Sequence, residues 1–340
     1  MARVRGGARV CAGEAASAGV FVAGVSVALL AATGAVAVAV QAPPLERVGS
    51  IPGSAEVLAA AGDLLVAGSG TGVRIVDVSR PESASVAGRY EFDQPVLDLV
   101  VGRDEERVVY VANSHDGLRR LDLSEPAAPV ISASVATRGQ AVGVAASDGH
   151  VYVGDNSLGF DIVPAAGDLR RAGEYLGDGF PRDIAAAGAL VFVADQPAGL
   201  LVVDVSDPAA PTVTGGLSLG RDPITRVVVP DPRSWDSAPP SAVAVASGTA
   251  GLQVVDVSDP RAPTVAAPIA PAGRFAGVAM WGERLFVAGE GTLQVFDLAD
   301  PGQPALIAES ELGGGVGALA VDEELVFAAT PGEILIFRRP

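Results

Sequence analysis

The segment GLLVVDVSDPAAPTV, from Gly199 to Val213, recurs as GLQVVDVSDPRAPTV from Gly251 to Val265, identical at 13 of 15 positions. A chain that repeats one strand-and-turn unit builds its fold by stacking copies of that unit, so the period decides the architecture. Related segments are TGVRIVDVS, DGLRRLDLS, LGFDIVPAA, GTLQVFDLA and GEILIFRRP. Their equivalent positions, Gly72, Gly117, Gly159, Gly199, Gly251, Thr292 and Glu333, define seven copies spaced by 45, 42, 40, 52, 41 and 41 residues. The long interval contains a Pro-rich insertion, PDPRSWDSAPP, from Pro230 to Pro240.

Within a unit the pattern reads as four strands, named A to D. In the fourth copy they are RDIAAAG, LVFVAD, GLLVVDVS and PTVTGGLSL, separated by turn residues. Runs so apolar suit strands covered on both faces. With 42 Gly and 25 Pro punctuating the chain, no long helix is indicated beyond the N-terminus. A period of 40 to 45 residues with four strands per unit predicts an all-β fold, a seven-bladed β-propeller. The last copy stops after three strands, and LERVGSI, from Leu45 to Ile51, matches the fourth-strand type. Pairing that N-terminal strand with the last blade closes the ring and removes an open edge.

The recurring Asp77, Asp122, Asp204, Asp256 and Asp297 each end an apolar strand before a turn of the VSDP type. There a carboxylate accepts turn amide hydrogens, a structural role. Pro164 and Arg338 replace this Asp in two copies, which a metal site common to all blades would not tolerate. GLLVVDVSDPAAP and GLQVVDVSDPRAP, preceded by LVFVAD and accompanied by first strands such as GFPRDIAAAG, resemble the LVIVD repeat family. The resemblance covers residues 45 to 340 and implies an exported or cell-surface propeller; it brings no catalytic residues.

Arg3, Arg5 and Arg9 precede a run without charge from Ala15 to Val40. That pattern describes residues 1–40 as an export signal, cleaved after Ala37 or Ala39, or as a retained membrane anchor, with residues 41–340 forming the propeller. The expected location is therefore outside the cytoplasm: periplasmic, extracellular or at the cell surface. A net charge of −17 repels phosphate backbones and disfavours nucleic acid. The single Cys11 excludes an internal disulfide.

Function then falls to the loops. B to C turns and D to A connections share one face of such a ring, and here they are polar and varied. Asn113, His115, Asp116, Asp155, Asn156 and Asp195 come from three consecutive blades and offer oxygens suited to calcium, against the ordinary reading as turn residues. Arg138, Arg182, Arg221 and Arg274 lie at or just before first strands. They are candidates to converge near the central opening, paired with Glu56, Asp98 or Asp183 or holding a small anionic ligand. His115 and His150, the only histidines, fall on opposite faces and cannot act together. No GxSxG or HExxH motif occurs. Trp235 in the insertion reads as a loop anchor or as an exposed contact for a partner or sugar. These features favour a binding scaffold for a protein, glycan or small anionic ligand; the alternative is a metal-assisted hydrolase of lactonase or phosphoesterase type.

Overall fold

The computed structural model describes residues 20–22, 25–32, 35–40, 42–102, 107–157, 159–220, 224–234, 241–247, 251–269, 275–289 and 291–340. The chain divides into two units, Met1–Pro43 and Pro44–Pro340. In the first, β1 (Val20–Val22), β2 (Val25–Ala32) and β3 (Ala35–Val40) pair antiparallel in that order. Valine-rich alternation favours extended backbone there. The remaining residues of the segment expected to direct export lie outside those described. No helix among the described residues is long and apolar enough to cross a membrane.

The second unit begins with β4 (Arg47–Pro52) and continues through six complete four-stranded sheets. Blade 1 consists of β5 (Val57–Ala61), β6 (Leu64–Ser69), β7 (Gly72–Asp77) and β8 (Ser85–Glu91). Blade 2 follows with β9 (Asp98–Val101), β10 (Val108–Ala112), β11 (Leu118–Asp122) and β12 (Val130–Val135). Blade 3 has β13 (Ala141–Ser147), β14 (His150–Asp155), β15 (Gly159–Pro164) and β16 (Gly173–Leu176). Blade 4 has β17 (Phe180–Ala187), β18 (Leu190–Gln196), β19 (Gly199–Asp204) and β20 (Thr212–Leu217). In blade 5 these are β21 (Ile224–Val228), β22 (Ala242–Ser247), β23 (Gly251–Asp256) and β24 (Thr264–Ile269). Blade 6 comprises β25 (Phe275–Trp281), β26 (Arg284–Gly289), β27 (Thr292–Asp297) and β28 (Ala305–Glu311). Blade 7 contributes β29 (Ala318–Val321), β30 (Leu325–Ala329) and β31 (Glu333–Arg338), and its fourth strand is β4.

Closure takes the predicted form. Ile334 pairs with Ile51 and Leu335 with Ser50, and beside this ladder the Arg338 amide donates to the Glu46 carbonyl at 2.8 Å. The first strands β5, β9, β13, β17, β21, β25 and β29 each neighbour the next around the axis, and β29 returns to β5.

The apolar core is a ring of seven clusters, one at each blade junction. Between blades 7 and 1, for example, Phe327 and Ile336 meet Leu65 and Val76. Between blades 3 and 4, Tyr152 and Phe160 meet Ile184 and Val193. The second strands of blades 1, 2, 3, 4, 6 and 7 are buried along most of their length because both faces are covered.

The repeated VSDP turn has two local functions. Asp77, Asp122, Asp204, Asp256 and Asp297 each accept the amide hydrogen two residues on, at 2.8 to 2.9 Å. Hydrogen bonds from that residue hold their carboxyls below the usual range, led by the Ser79 hydroxyl for Asp77. The Pro of the turn seats on the preceding blade. A Cβ on Gly49, Gly88, Gly173 or Gly215 would lie 2.0, 1.9, 1.6 or 2.2 Å from the carbonyl oxygen of Pro81, Pro126, Pro208 or Pro260 in the next blade. In blade 2 the corresponding residue is Ala133, and the following blade has PAAGD in place of the turn. Blade 5 departs from the pattern: Ala267 occupies the position although Pro301 follows.

This contact discriminates between two adjacent glycines. Gly215→Ala places a methyl against backbone that cannot retreat and is expected to cost at least about 2 kcal/mol. Gly216→Ala meets its nearest atom at 3.2 Å and is expected to cost less than about 1 kcal/mol. Thermal melting of the two variants beside the parent checks the difference.

Candidate functional site

Strand register defines one layer of residues around the axis near the D to A face. Val57, Asp98, Gly143, Asp183, Arg226, Gly277 and Ala318 occupy equivalent positions, one per blade. Three of the seven are charged, and all three line a central channel of about 240 Å³. Two residues further along each strand the channel is lined by Ala59, Val100, Ala145, Ala185, Val228, Ala279 and Ala320. Side chains alternate along a strand, so this second ring also faces inward, and its five alanines leave the lumen open.

The two aspartates tie neighbouring blades together. Asp98 Oδ2 accepts the Val144 amide hydrogen at 2.9 Å and Asp183 Oδ2 accepts that of Val227 at 3.0 Å. Each donor follows a bulge in its own strand. Arg226 Nη1 stands 3.7 Å from Asp183 Oδ2, and among the described residues Asp98 has no ion pair. One guanidinium thus faces two carboxylates. Burial, then the charge of Asp183, pushes the Asp98 carboxyl up to about 7. Burial also raises Asp183, opposed chiefly by Arg226.

The opposite end of the channel is occupied by the start of the Pro-rich insertion. After β21 the chain turns through a short 3₁₀ segment, Pro232–Ser234. Arg233 forks onto Asp231, with Nε to Oδ1 at 2.9 Å and Nη2 to Oδ2 at 2.8 Å, and Nη1 reaches the Ala60 carbonyl of blade 1 at 3.1 Å. The Asp231 amide donates to the Met280 carbonyl of blade 6 at 3.1 Å. The guanidiniums of Arg233 and Arg339 lie 5.4 and 5.5 Å from the centre of the Trp281 ring. Trp235, expected as an anchor or contact, lies outside the described residues.

The loop residues singled out from sequence lie in or beside the B to C turns of blades 2, 3 and 4, where each is engaged by nearby groups. Asn113 is fully buried, and its Nδ2 donates to the Gln94 and Pro95 carbonyls at 2.7 and 3.1 Å. His115 Nδ1 pairs with Ser114 Oγ at 3.2 Å, and Asp116 bridges Arg119 at 3.0 Å. Asp155 accepts the amide hydrogens of Gly139 and Ser157, while Asn156 Nδ2 donates to Gln140 Oε1 at 2.9 Å. Asp195 accepts the Ala198 amide at 3.3 Å, and burial raises its carboxyl. Among the described residues no group of three His, Cys, Asp or Glu side chains is arranged to hold a metal ion.

The arginines are likewise drawn to local partners. Arg138 pairs with Glu174 on the outer strand of blade 3, and Arg182 binds Gln196 Oε1 with Nη2 at 2.9 Å. Neither lines the channel, so their convergence at the opening is not seen. Arg182 is displaced by the bulge between Pro181 and Asp183. Glu56 Oε2 accepts the Gly70 amide of its own blade at 3.4 Å. Arg221 and Arg274 lie outside the described residues. Among the described arginines Arg226 reaches the axis; aligning TRVVV of blade 5 with RDIAA of blade 4 puts it beside Asp183, a signal carried by the sequence.

The LVIVD repeat model matches residues 52–91, 106–137, 138–164, 178–217 and 243–268. Blades 6 and 7 continue the same architecture beyond the matched segments. No curated protein sequence matches the chain. Among solved structures, the β-propeller domain of Cps50 (Swd1) from Myceliophteria thermophila superposes with a TM-score of 0.69 at 14% identity, covering 87% of this chain and all of that domain. At that identity the likeness concerns the fold.

The axial carboxylates give a pH signature. Asp98 takes up its proton more readily folded than unfolded, where an Asp titrates near about 3.9. Its contribution is complete below that value and is lost as pH rises through about 7. Asp98→Asn removes this titration, so the parent's melting temperature is expected to fall more steeply than the variant's between pH 5 and pH 8. Parallel melting curves across that range check it.

Proposed function

Because this chain is an LVIVD repeat protein closed into a seven-bladed propeller, we propose that it is an exported binding scaffold acting in the periplasm, outside the cell or at the cell surface, with residues 1–40 directing export or anchoring it. Its B to C and D to A loop face holds a protein, glycan or small ligand. The observation that carries this reading is the connection from blade 3 to blade 4, where Leu176 and Phe180 are 55% and 53% exposed. Two large apolar side chains in one short loop are held there by a fixed base, since Tyr175 packs on the buried Phe160 ring at 5.3 Å. Rigid loops displaying apolar groups are where recognition usually occurs. The hydrolase reading needs metal ligands from Asn113, Asp155, Asn156 and Asp195; Asp155, Asp195 and the Asn156 amide already serve local hydrogen bonds, while the buried Asn113 Oδ1 has no partner among the described residues.

A photocrosslinking residue at Phe180, expressed in the producing cells, is expected to capture one discrete partner. The same residue at Val130, also exposed but at the start of an outer strand, is expected not to capture it. Equal adducts at both positions would overturn the loop-face assignment. Sequencing the N-terminus of the protein recovered from each cell fraction tests export; intact residues 1–40 on cytoplasmic protein would refute it.

A further inference from the structure

We propose that the central channel is a binding site for a primary alkylammonium group, the ammonium seated between Asp98 and Asp183 and the alkyl chain running down the alanine-lined lumen. The assignment rests on the binding-scaffold reading and specifies its ligand. Three separate features support it.

The charged layer is unbalanced: two carboxylates, Asp98 and Asp183, face the single guanidinium of Arg226, which stands nearer Asp183, while Asp98 is held by backbone amides. A compact cation with several donors complements that arrangement, and an anion does not. Beneath the layer the wall is alkyl, so the complementary molecule carries an aliphatic chain directly behind its charge.

Space is made for it. Gly143 and Gly277 carry no side chain into the charged layer at blades 3 and 6, and the five alanines behind it carry only methyl groups. At about 240 Å³ the channel lies below the roughly 300–1,000 Å³ of drug-sized sites, which limits the inserted part to a short chain. Among the described residues, Asp231 and Arg233 span the far end from blade 5 to blades 6 and 1. The positive Arg233 there also directs the cationic end toward the mouth.

A free amine and the side chain of a partner's lysine share this chemistry. Isothermal titration of the whole protein with n-butylamine, n-butanol, butyrate and Nα-acetyl-lysine methylamide separates them. One site is expected for the amines and none for butanol or butyrate. Tighter binding of the lysine derivative identifies a partner's side chain as the source, and tighter binding of butylamine a free amine. Asp98→Asn is expected to weaken binding by about ten- to a hundredfold, as loss of a charged hydrogen bond does. Ala279→Leu, which fills the lumen and leaves the charges intact, is expected to weaken it similarly. Absence of amine binding at millimolar concentration, equal binding of butanol, or binding unchanged in Asp98→Asn would overturn the assignment. If crosslinking through Phe180 persists in that event, the channel assignment falls alone and the loop-face reading stands.

Discussion

Every blade of this protein is apolar on both faces, and that constraint governs the rest. A sheet with one apolar face can end against water, whereas a sheet with two needs a neighbour on each side. Seven such sheets satisfy one another only in a ring, which is why the core consists of seven junction clusters and has no common centre. The pairing of β4 with β31 closes the last junction, joining the start of the propeller to its end through Ile51 and Ile334. Without it, blades 1 and 7 would each present a bare face and blade 7 an open edge.

Stacking fixes the blades radially, and the Pro and Gly contacts fix how far each slides along its neighbour. A carbonyl seated where a Cβ would be cannot move outward or along the strand, so the four Gly positions act as register marks. Precise stacking in turn determines what meets at the axis. The layer containing Asp98, Asp183 and Arg226 exists only because equivalent strand positions are brought to one height. A shift of one blade by one residue would replace a charge with the side chain behind it.

Aspartate has two opposite environments in this molecule. At the ends of third strands it is exposed and surrounded by turn donors, which favour the carboxylate. At the axis it is enclosed, shares its site with a second carboxylate and is pushed toward the protonated form. Equivalent spacing from strand to turn made the first class readable. The second class depends on burial, which arises only when the ring closes. The floor contributed by Asp231 and Arg233 has the same origin: Met280, the partner of Asp231, comes from the next blade, and Ala60, the partner of Arg233, is remote in sequence and met only across the axis.

The sequence alone determined the repeat, the number of blades, the mode of closure and the structural use of the turn aspartates. Each follows from periodicity and local hydrogen bonding, which act over a few residues. It also placed the polar loops on one face, since antiparallel strands of known order leave no other choice. Only the tertiary structure decided which charges meet. Arg138 and Arg182 were plausible at the opening, yet Glu174 and Gln196 lie closer, and the bulge before Asp183 diverts Arg182 from the axis. Arg226 takes the place expected of them because its strand directs it inward. Direction around a closed ring is set by bulges and by the approach of distant blades, and a one-dimensional period carries neither.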